Sequence, residues 1–246
     1  MRENFKISVI TVTKNSEKFL EENLDSLKNQ TDRNFEHIVI DGKSSDKTVE
    51  IIKKNSEQIS YWVSEEDNGL YDAMNKGIRN ATGDIIGILN SDDIYYPKAL
   101  SIVNNYFSMH SDIDFLFGSV DKYKLMHGFY PEKIKWTFGF YTTHSIGFFI
   151  KRQAQLNLGF YDTQYKYSAD YDLFYRMIVK QGLKGISTKK NEILGKFRQG
   201  GLSSKIKYLD FLKENNKIRI NNGQNKLFVY TIFLLRIIRN FKRLIK

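Results

Sequence analysis

The sequence predicts an α/β fold with a mostly parallel central sheet flanked by helices, and three observations predict it. The runs KISVITVT (residues 6–13), FEHIVI (35–40) and IIGIL (85–89) are nearly all apolar, so both of their faces are buried, as in a parallel sheet covered on two sides. Stretches of helical period separate them, and such alternation returns the chain so that successive strands run parallel. Polar residues (Thr13, Asp41, Glu65-Glu66-Asp67 and Asn90-Ser91-Asp92-Asp93) collect at strand C-terminal ends, the edge where open α/β sheets bind ligands.

The elements follow in order. After the strand at 6–13, Ser16 is the expected cap of a helix in which Phe19, Leu20, Leu24 and Leu27 recur at helical spacing up to Gln30. The strand at 35–40 ends in Asp41-Gly42, and a helix over 46–55 follows with Asp46 able to cap it. A strand at 61–64 leads to a helix over 70–81, with Leu70, Met74, Gly77 and Ile78 on one face. After the strand at 85–89, a helix over 97–110 has Pro97 in its first turn. The second half is less regular: strands at 115–120 and 146–150, a helix over 171–179 led by Asp170, a strand at 193–197, a loop over 198–203, and helices over 206–220 and 227–245.

With 246 residues, 41% of them hydrophobic, the chain can build one good core, or one domain with an appendage. It has no cysteine, which excludes disulfides, cysteine-based zinc sites and thiol nucleophiles. Its four histidines show no metal-ligand spacing. The N-terminus enters a strand-like run without the apolar region of a signal peptide, and the longest uncharged apolar run, 227–235, is too short for a bilayer. A cytoplasmic body is the expectation. The charge is uneven: residues 203–246 hold eleven Lys/Arg against Asp210 and Glu214, while the whole chain is +10, so the body is close to neutral.

Asp92 and Asp93 adjoin a buried strand, where like charges repel and desolvation is costly. They are either capping carboxylates of a solvated loop or hard oxygen ligands for Mg²⁺ or Mn²⁺. Two carboxylates are too few for an all-protein cage and suit a metal shared with a diphosphate. Asp41 either terminates its strand or accepts hydrogen bonds from a nucleotide. Asp67, Asp72, Asn75 and Lys76 form a polar band at the start of the 70–81 helix. Asp72 and Lys76 at i,i+4 read as a surface ion pair, or Lys76 faces a phosphate.

Together SVITVTKN, IVIDGKSSDKT, EEDNGLYDAMNKGI and GDIIGILNSDDIYYP closely resemble the family 2 inverting glycosyltransferases of GT-A fold, densely over 6–100 and at wider intervals to about 203. Within that family DNGLYDAMNKGI and LNSDD look most like bacterial enzymes of capsule, exopolysaccharide or O-antigen synthesis. The resemblance implies a catalytic domain over 1–203, with a nucleotide-binding half to about 110 and an acceptor half from about 111, and a basic helical tail over 204–246. It implies that Thr11, Thr13 and Asn15 line the base and ribose, that Asp41 bonds the base, and that Asp67, Asn75, Lys76, Asn90 and Ser91 complete the nucleotide site. Asp92, with Asp93 beside it, would hold Mg²⁺ or Mn²⁺ on the diphosphate. Asn90 replaces the first acid of the family's Asp-x-Asp motif, so the site loses one carboxylate. Val12 and Lys14 stand where many relatives carry Pro and Tyr.

An inverting transfer needs one base to deprotonate the acceptor hydroxyl. In Ala169-Asp170, the position where the family usually has Glu-Asp, Asp170 is the expected base and Asp172, on a different helix face, its competitor; the alternative is that Ser168 and Asp170 merely cap the helix. His144 is either structural or near the sugar or acceptor. Arg198, before Gly200-Gly201, either opens a loop that closes over the diphosphate or sits in an ordinary connector.

In the tail, KLFVYTIFLLRIIRNFKRLIK (226–246), Arg236, Arg239, Arg243 and Lys246 share one face, and Leu227, Leu234, Ile238, Phe241 and Ile245 the other. This is a helix for an anionic membrane surface, or one packing its apolar side on the body. It is too apolar for a nucleic-acid arm. The expectation is an inverting glycosyltransferase, peripheral on the inner face of the membrane, using a nucleotide-diphospho-sugar (UDP foremost) and a glycan or polyprenyl-linked acceptor. The rivals are a catalytically degenerate sugar-nucleotide-binding assembly protein and a sugar nucleotidyltransferase, the latter lacking a Gly-rich phosphate loop after the first strand.

Overall fold

The computed structural model describes residues 4–136, 145–198 and 207–240. In chain order the elements are β1 (Ile7–Thr13), α1 (Leu20–Lys28), β2 (Phe35–Asp41), α2 (Thr48–Lys54), β3 (Tyr61–Ser64), α3 (Leu70–Asn80), β4 (Ile85–Ile88), β5 (Ile94–Tyr95) and α4 (Ala99–Met109). Then come β6 (Phe115–Phe117), β7 (Ser119–Asp121), β8 (Leu125–Met126), β9 (Phe148–Lys151), α5 (Arg152–Leu158), α6 (Ala169–Tyr175), β10 (Gly185–Ser187), β11 (Ile193–Lys196), α7 (Tyr208–Asn221) and α8 (Lys226–Arg239).

Every residue of β1 is buried, because it lies between two strands and under two layers. The seven-stranded sheet runs β10-β6-β9-β4-β1-β2-β3. β1 pairs in parallel with β2 and β4, β2 with β3, and β6 with β10, while β9 is antiparallel to both β4 and β6. Alternate residues of β1 feed opposite cores: Ile10 and Val12 pack with α3 and α6, Ile7 and Val9 with α4. That two-sided burial is what the apolar runs predict.

A second sheet, β5-β11-β7-β8, lies beyond the sequence reading. The run expected as one strand over 115–120 splits at Gly118 between the two sheets. A Cβ there would lie 2.0 Å from Leu194 Cδ1, and the Gly118 N–H donates to the Gly147 carbonyl at 2.8 Å. Ser16 does not cap α1 with its side chain. Its carbonyl accepts from Phe19 and Leu20, its hydroxyl meets Ser91, and the helix starts at Leu20. Pro97 stands two residues before α4 instead of in its first turn.

The segment set apart by its charge contains two different helices. α7 is part of the body and buries Leu212, Asn215, Asn216, Ile218 and Arg219. In α8 Val229 is buried, while Leu227, Leu234, Leu235 and Ile238 are exposed. The alternative in which this helix packs its apolar side on the body does not hold for these residues. Arg236 instead turns inward, donating to the Trp136 carbonyl at 2.7 Å. No described helix is long and apolar enough to cross a membrane. Arg243, Lys246, Phe241 and Ile245 lie outside the described residues.

Candidate active site

The strand order β4-β1-β2-β3 sets three strand ends side by side and brings the turn after β4 against them. Thr13 is opposite Asp41 and Asp41 opposite Ser64. Beyond β4 the chain stays on β1 through Leu89 N–H to Ile10 O and Ser91 N–H to Val12 O, so Asn90–Asp93 arrives at the same rim. Asp41 is wholly buried. Ser44 donates to it from its N–H (3.0 Å) and hydroxyl (2.5 Å), and Ser64 from its hydroxyl (2.6 Å). Asn15, in a left-handed conformation (φ 51°), accepts from the Ser45 N–H. Asp67 lies over Gly42: a Cβ there would fall 2.1 Å from Asp67 Oδ2.

The Asp92-Asp93 turn is clamped from beneath. Asn23 of α1 donates to the carbonyls of Asn90 (2.9 Å) and Asp93 (2.8 Å), and the Ser91 hydroxyl meets Ser16 at 2.8 Å. Asp93 is enclosed. Its Oδ1 accepts from the Arg198 N–H at 3.0 Å, and its Oδ2 has no hydrogen-bond partner among the described residues. Burial first, and the Asp92 charge second, push its carboxyl up to about 8. Asp92 is partly exposed, and burial raises it as well. The hydroxyl of Thr13 and Oδ1 of Asn90 are likewise buried without a partner among the described residues.

Asp170 stands at the start of α6. Its Oδ1 accepts from the Tyr171 N–H (2.9 Å) and the Tyr71 hydroxyl (3.3 Å), and burial raises it to about 6. Tyr71 is in the first turn of α3, which begins three residues after Asp67, so it ties Asp170 to that helix. Asp172, two residues on, has no such freedom: Arg176 Nε donates to one oxygen and Asn222 to the other, both at 2.8 Å.

Three further residues are tied up within the protein. Asn75 spends its amide on the backbone of Tyr161, donating to the carbonyl at 2.8 Å and accepting from the N–H at 2.9 Å. Thr11 is fully buried and bonded to His37 at 3.0 Å. Lys76 pairs with Glu65 at 2.8 Å and, at i,i+4, with Asp72 at 3.9 Å, and donates to the Glu66 carbonyl, which is the ion-pair alternative with Glu65 added. Arg198 joins the rim through its backbone, while its guanidinium sits on Glu22 and over the Phe19 ring. His144, Gly200 and Gly201 lie outside the described residues.

The family model for Glycosyl transferase family 2 matches residues 8–173. The chain belongs to this family. An uncharacterized glycosyltransferase of Methanocaldococcus jannaschii is 32% identical over 187 residues, covering 70% of this chain and 64% of the relative. A PGL/p-HBAD biosynthesis glycosyltransferase of Mycobacterium bovis is 28% identical, covering 84% and 82%. The fold matches S. aureus TarS 1–349 in complex with UDP-GlcNAc at a TM-score of 0.71, with 20% identity over 96% of this chain and 73% of TarS 1–349. It also matches a mannosyltransferase from Pyrobaculum calidifontis in complex with GDP-Man and Mn2+ at 0.69, with 18% identity over 94% and 70%. The mostly parallel sheet is therefore that of the GT-A proteins.

The family 2 rim fits a hard divalent cation. Its donors are all oxygen, and Asp93 carries an orphaned, buried carboxylate oxygen beside the more accessible Asp92. No group of three or more acidic or histidine side chains converges among the described residues, so phosphate oxygens and water would fill the remaining positions. Two rim residues escaped the sequence reading. Asn23 had a legible signal, a polar residue on the apolar face shared by Leu20, Leu24 and Leu27. Lys122 had none. The β7–β8 connection brings its amine 4.2 Å from the Phe197 ring, where burial lowers its pKa and the Asp93 charge opposes that shift.

Proposed function

We propose that this family 2 chain transfers one sugar, with inversion, from a nucleotide-diphospho-sugar to an acceptor hydroxyl. The observation that carries the reading is Asp170. It is the carboxylate of the Asp170/Asp172 pair without a cationic partner among the described residues, it is raised to about 6, and the Tyr71 hydroxyl in the first turn of α3 donates to it. A base with that proton affinity is ionised at neutral pH and still accepts a proton from an attacking hydroxyl. Thr13, Asn15, Asp41, Asp67, Asn90 and Ser91 surround the donor; Oδ1 of Asp41, which among the described residues accepts only from the Ser44 hydroxyl, retains a lone pair for a base N–H such as that of uracil.

Asp92, with Asp93 behind it, would hold Mg²⁺ or Mn²⁺ on the diphosphate. When bound, the cation supplies Lewis-acid stabilisation of the leaving group. Structural neighbours in complex with UDP-GlcNAc and with GDP-Man and Mn2+ support the donor class. The outward apolar residues of α8, flanked by the exposed Arg239, support peripheral attachment to an anionic membrane, where a glycan or polyprenyl-linked acceptor is presented. The site serves cell-surface polysaccharide synthesis on this reading.

The test is calorimetric titration with UDP, GDP, dTDP and CDP, each with Mn²⁺ and with EDTA. Binding of one nucleotide that requires Mn²⁺, followed by turnover of its sugar conjugates, is the expected result. A folded protein that binds none of the four overturns the reading.

A further inference from the structure

A second charged cluster lies in the wall built by α6, α7 and α8. Arg219 of α7 is 0% exposed. Its Nε donates to the Tyr171 hydroxyl at 2.8 Å, and both terminal nitrogens are buried without a hydrogen-bond partner among the described residues. One turn earlier on the same face of α7 is Asn215, also fully buried, with neither amide atom partnered among the described residues. Arg236 of α8 is half-buried in the same region. Its proton affinity is lowered by burial and by the charge of Arg219.

Enclosing one unpaired guanidinium is costly, and a second like charge beside it adds to that cost. The nearby acids are engaged elsewhere. Asp172 is held by Arg176 and Asn222, and Glu214 accepts from the backbone N–H groups of Lys166, Tyr167 and Ser168. Outside the described residues, acidic side chains are confined to Glu3, since 137–144, 199–206 and 241–246 contain no Asp or Glu. The cluster thus has two cations, a free amide and no counter-charge from the described residues. That is the chemistry of a site for an anion brought from outside.

We propose that Arg219, Arg236 and Asn215 form a binding site for a phosphate-class oxyanion, separate from the Asp92-Asp93 rim. Two guanidinium groups match a dianion in charge, and their forked N–H groups match phosphate oxygens in geometry. The phosphate comes either free from solution or on an anionic lipid, because α8 presents Leu227 and Ile238 outward on the element that carries Arg236.

The experiment uses the full chain in EDTA at constant ionic strength, so that no metal-diphosphate complex forms at the rim. Thermal midpoints are measured with inorganic phosphate and with pyrophosphate against chloride. Flotation is measured with phosphatidylglycerol against phosphatidylcholine vesicles. The variants are Arg219→Met, Arg236→Gln, Asn215→Ala and, as a control for general surface charge, Arg239→Gln. With a free oxyanion as ligand, phosphate raises the midpoint of the unmodified chain, and Arg236→Gln binds it about tenfold more weakly, the loss of one charge-assisted hydrogen bond. With lipid as the source, soluble phosphate has no effect, and phosphatidylglycerol binding is lost in Arg236→Gln but kept in Arg239→Gln. Phosphate shifts that are equal or absent in all variants, together with equal vesicle binding by Arg236→Gln and Arg239→Gln, overturn the site. If Arg219→Met does not fold, Arg236→Gln and Asn215→Ala still decide it.

Discussion

Asp170 and Asp172 show how far two residues of one type can diverge. Asp170 begins α6 facing Tyr71, while Asp172 points back to Arg176 and Asn222. Asp170→Asn is expected to keep nucleotide binding and lose about 10²- to 10⁴-fold in turnover, the range for a general base. Because the carboxyl is raised to about 6 and acts only when ionised, turnover should rise with pH through about 6 and level off above it; a rate independent of pH from 5 to 7 would remove Asp170 as the base. Asp172→Asn should instead cost about 2 kcal/mol of stability, the worth of a hydrogen bond to a charged group, and leave kcat of the folded enzyme near normal. Urea titration and turnover on one preparation separate the two roles. The asymmetry was half legible: the spacing placed the two aspartates on different helix faces, but Arg176 and Asn222 become partners only through packing.

At the scale of elements, α3 lies directly on β1 because Gly77 lets it approach. A Cβ at Gly77 would stand 2.3 Å from Ile10 Cγ2, so Gly77→Ala must push the helix off the central strand. The expected loss is about 1–3 kcal/mol, typical of overpacking, read as a lower urea midpoint at unchanged m-value. In α8 the logic is reversed, since Leu234 and Ile238 support nothing inside the protein. Leu234→Ser with Ile238→Ser should leave the thermal midpoint within a degree or two and reduce binding to anionic vesicles. A matching fall in stability would show that the face is covered by protein. The long runs of β1, β2 and α3 were readable because their period is sustained. Two- and three-residue strands such as β5, β8 and β10 carry no period, and β6 and β7 read as one run because Gly118 divides it between sheets.

For the whole molecule, the buried polar groups under the sheet set the acid response. His37 is enclosed against Thr11 and kept neutral, with burial lowering its pKa to about 3. The unfolded chain takes up that proton near the ordinary value of about 6.5. The stability that neutral His37 confers is therefore complete above about 6.5 and is lost as pH falls from there towards 3, by up to about 1.4 kcal/mol per pH unit. Asp170, raised instead of lowered, works with the opposite sign between its ordinary range and about 6. The two are separated by difference: the stability gap between the unmodified chain and His37→Gln should shrink as pH falls from 6.5 to 4. A constant gap would mean that His37 is protonated in the folded state.

By itself the sequence determined the architecture of the first half and the polar residues at its rim, because apolar runs and strand–helix alternation constrain a parallel sheet locally. Topology then brings the strand ends together. It also carried the family resemblance and singled out Asp170. Only the tertiary structure decided which polar groups remain available. Asn75 closes on the backbone of Tyr161, Thr11 on His37, and Lys76 on Glu65, while Asp93, Arg219 and Asn215 are left with atoms unpaired among the described residues. The physical reason is that a side chain's hydrogen-bond partners come from distant parts of the chain. Whether a polar group is satisfied or left open depends on packing that no local pattern encodes.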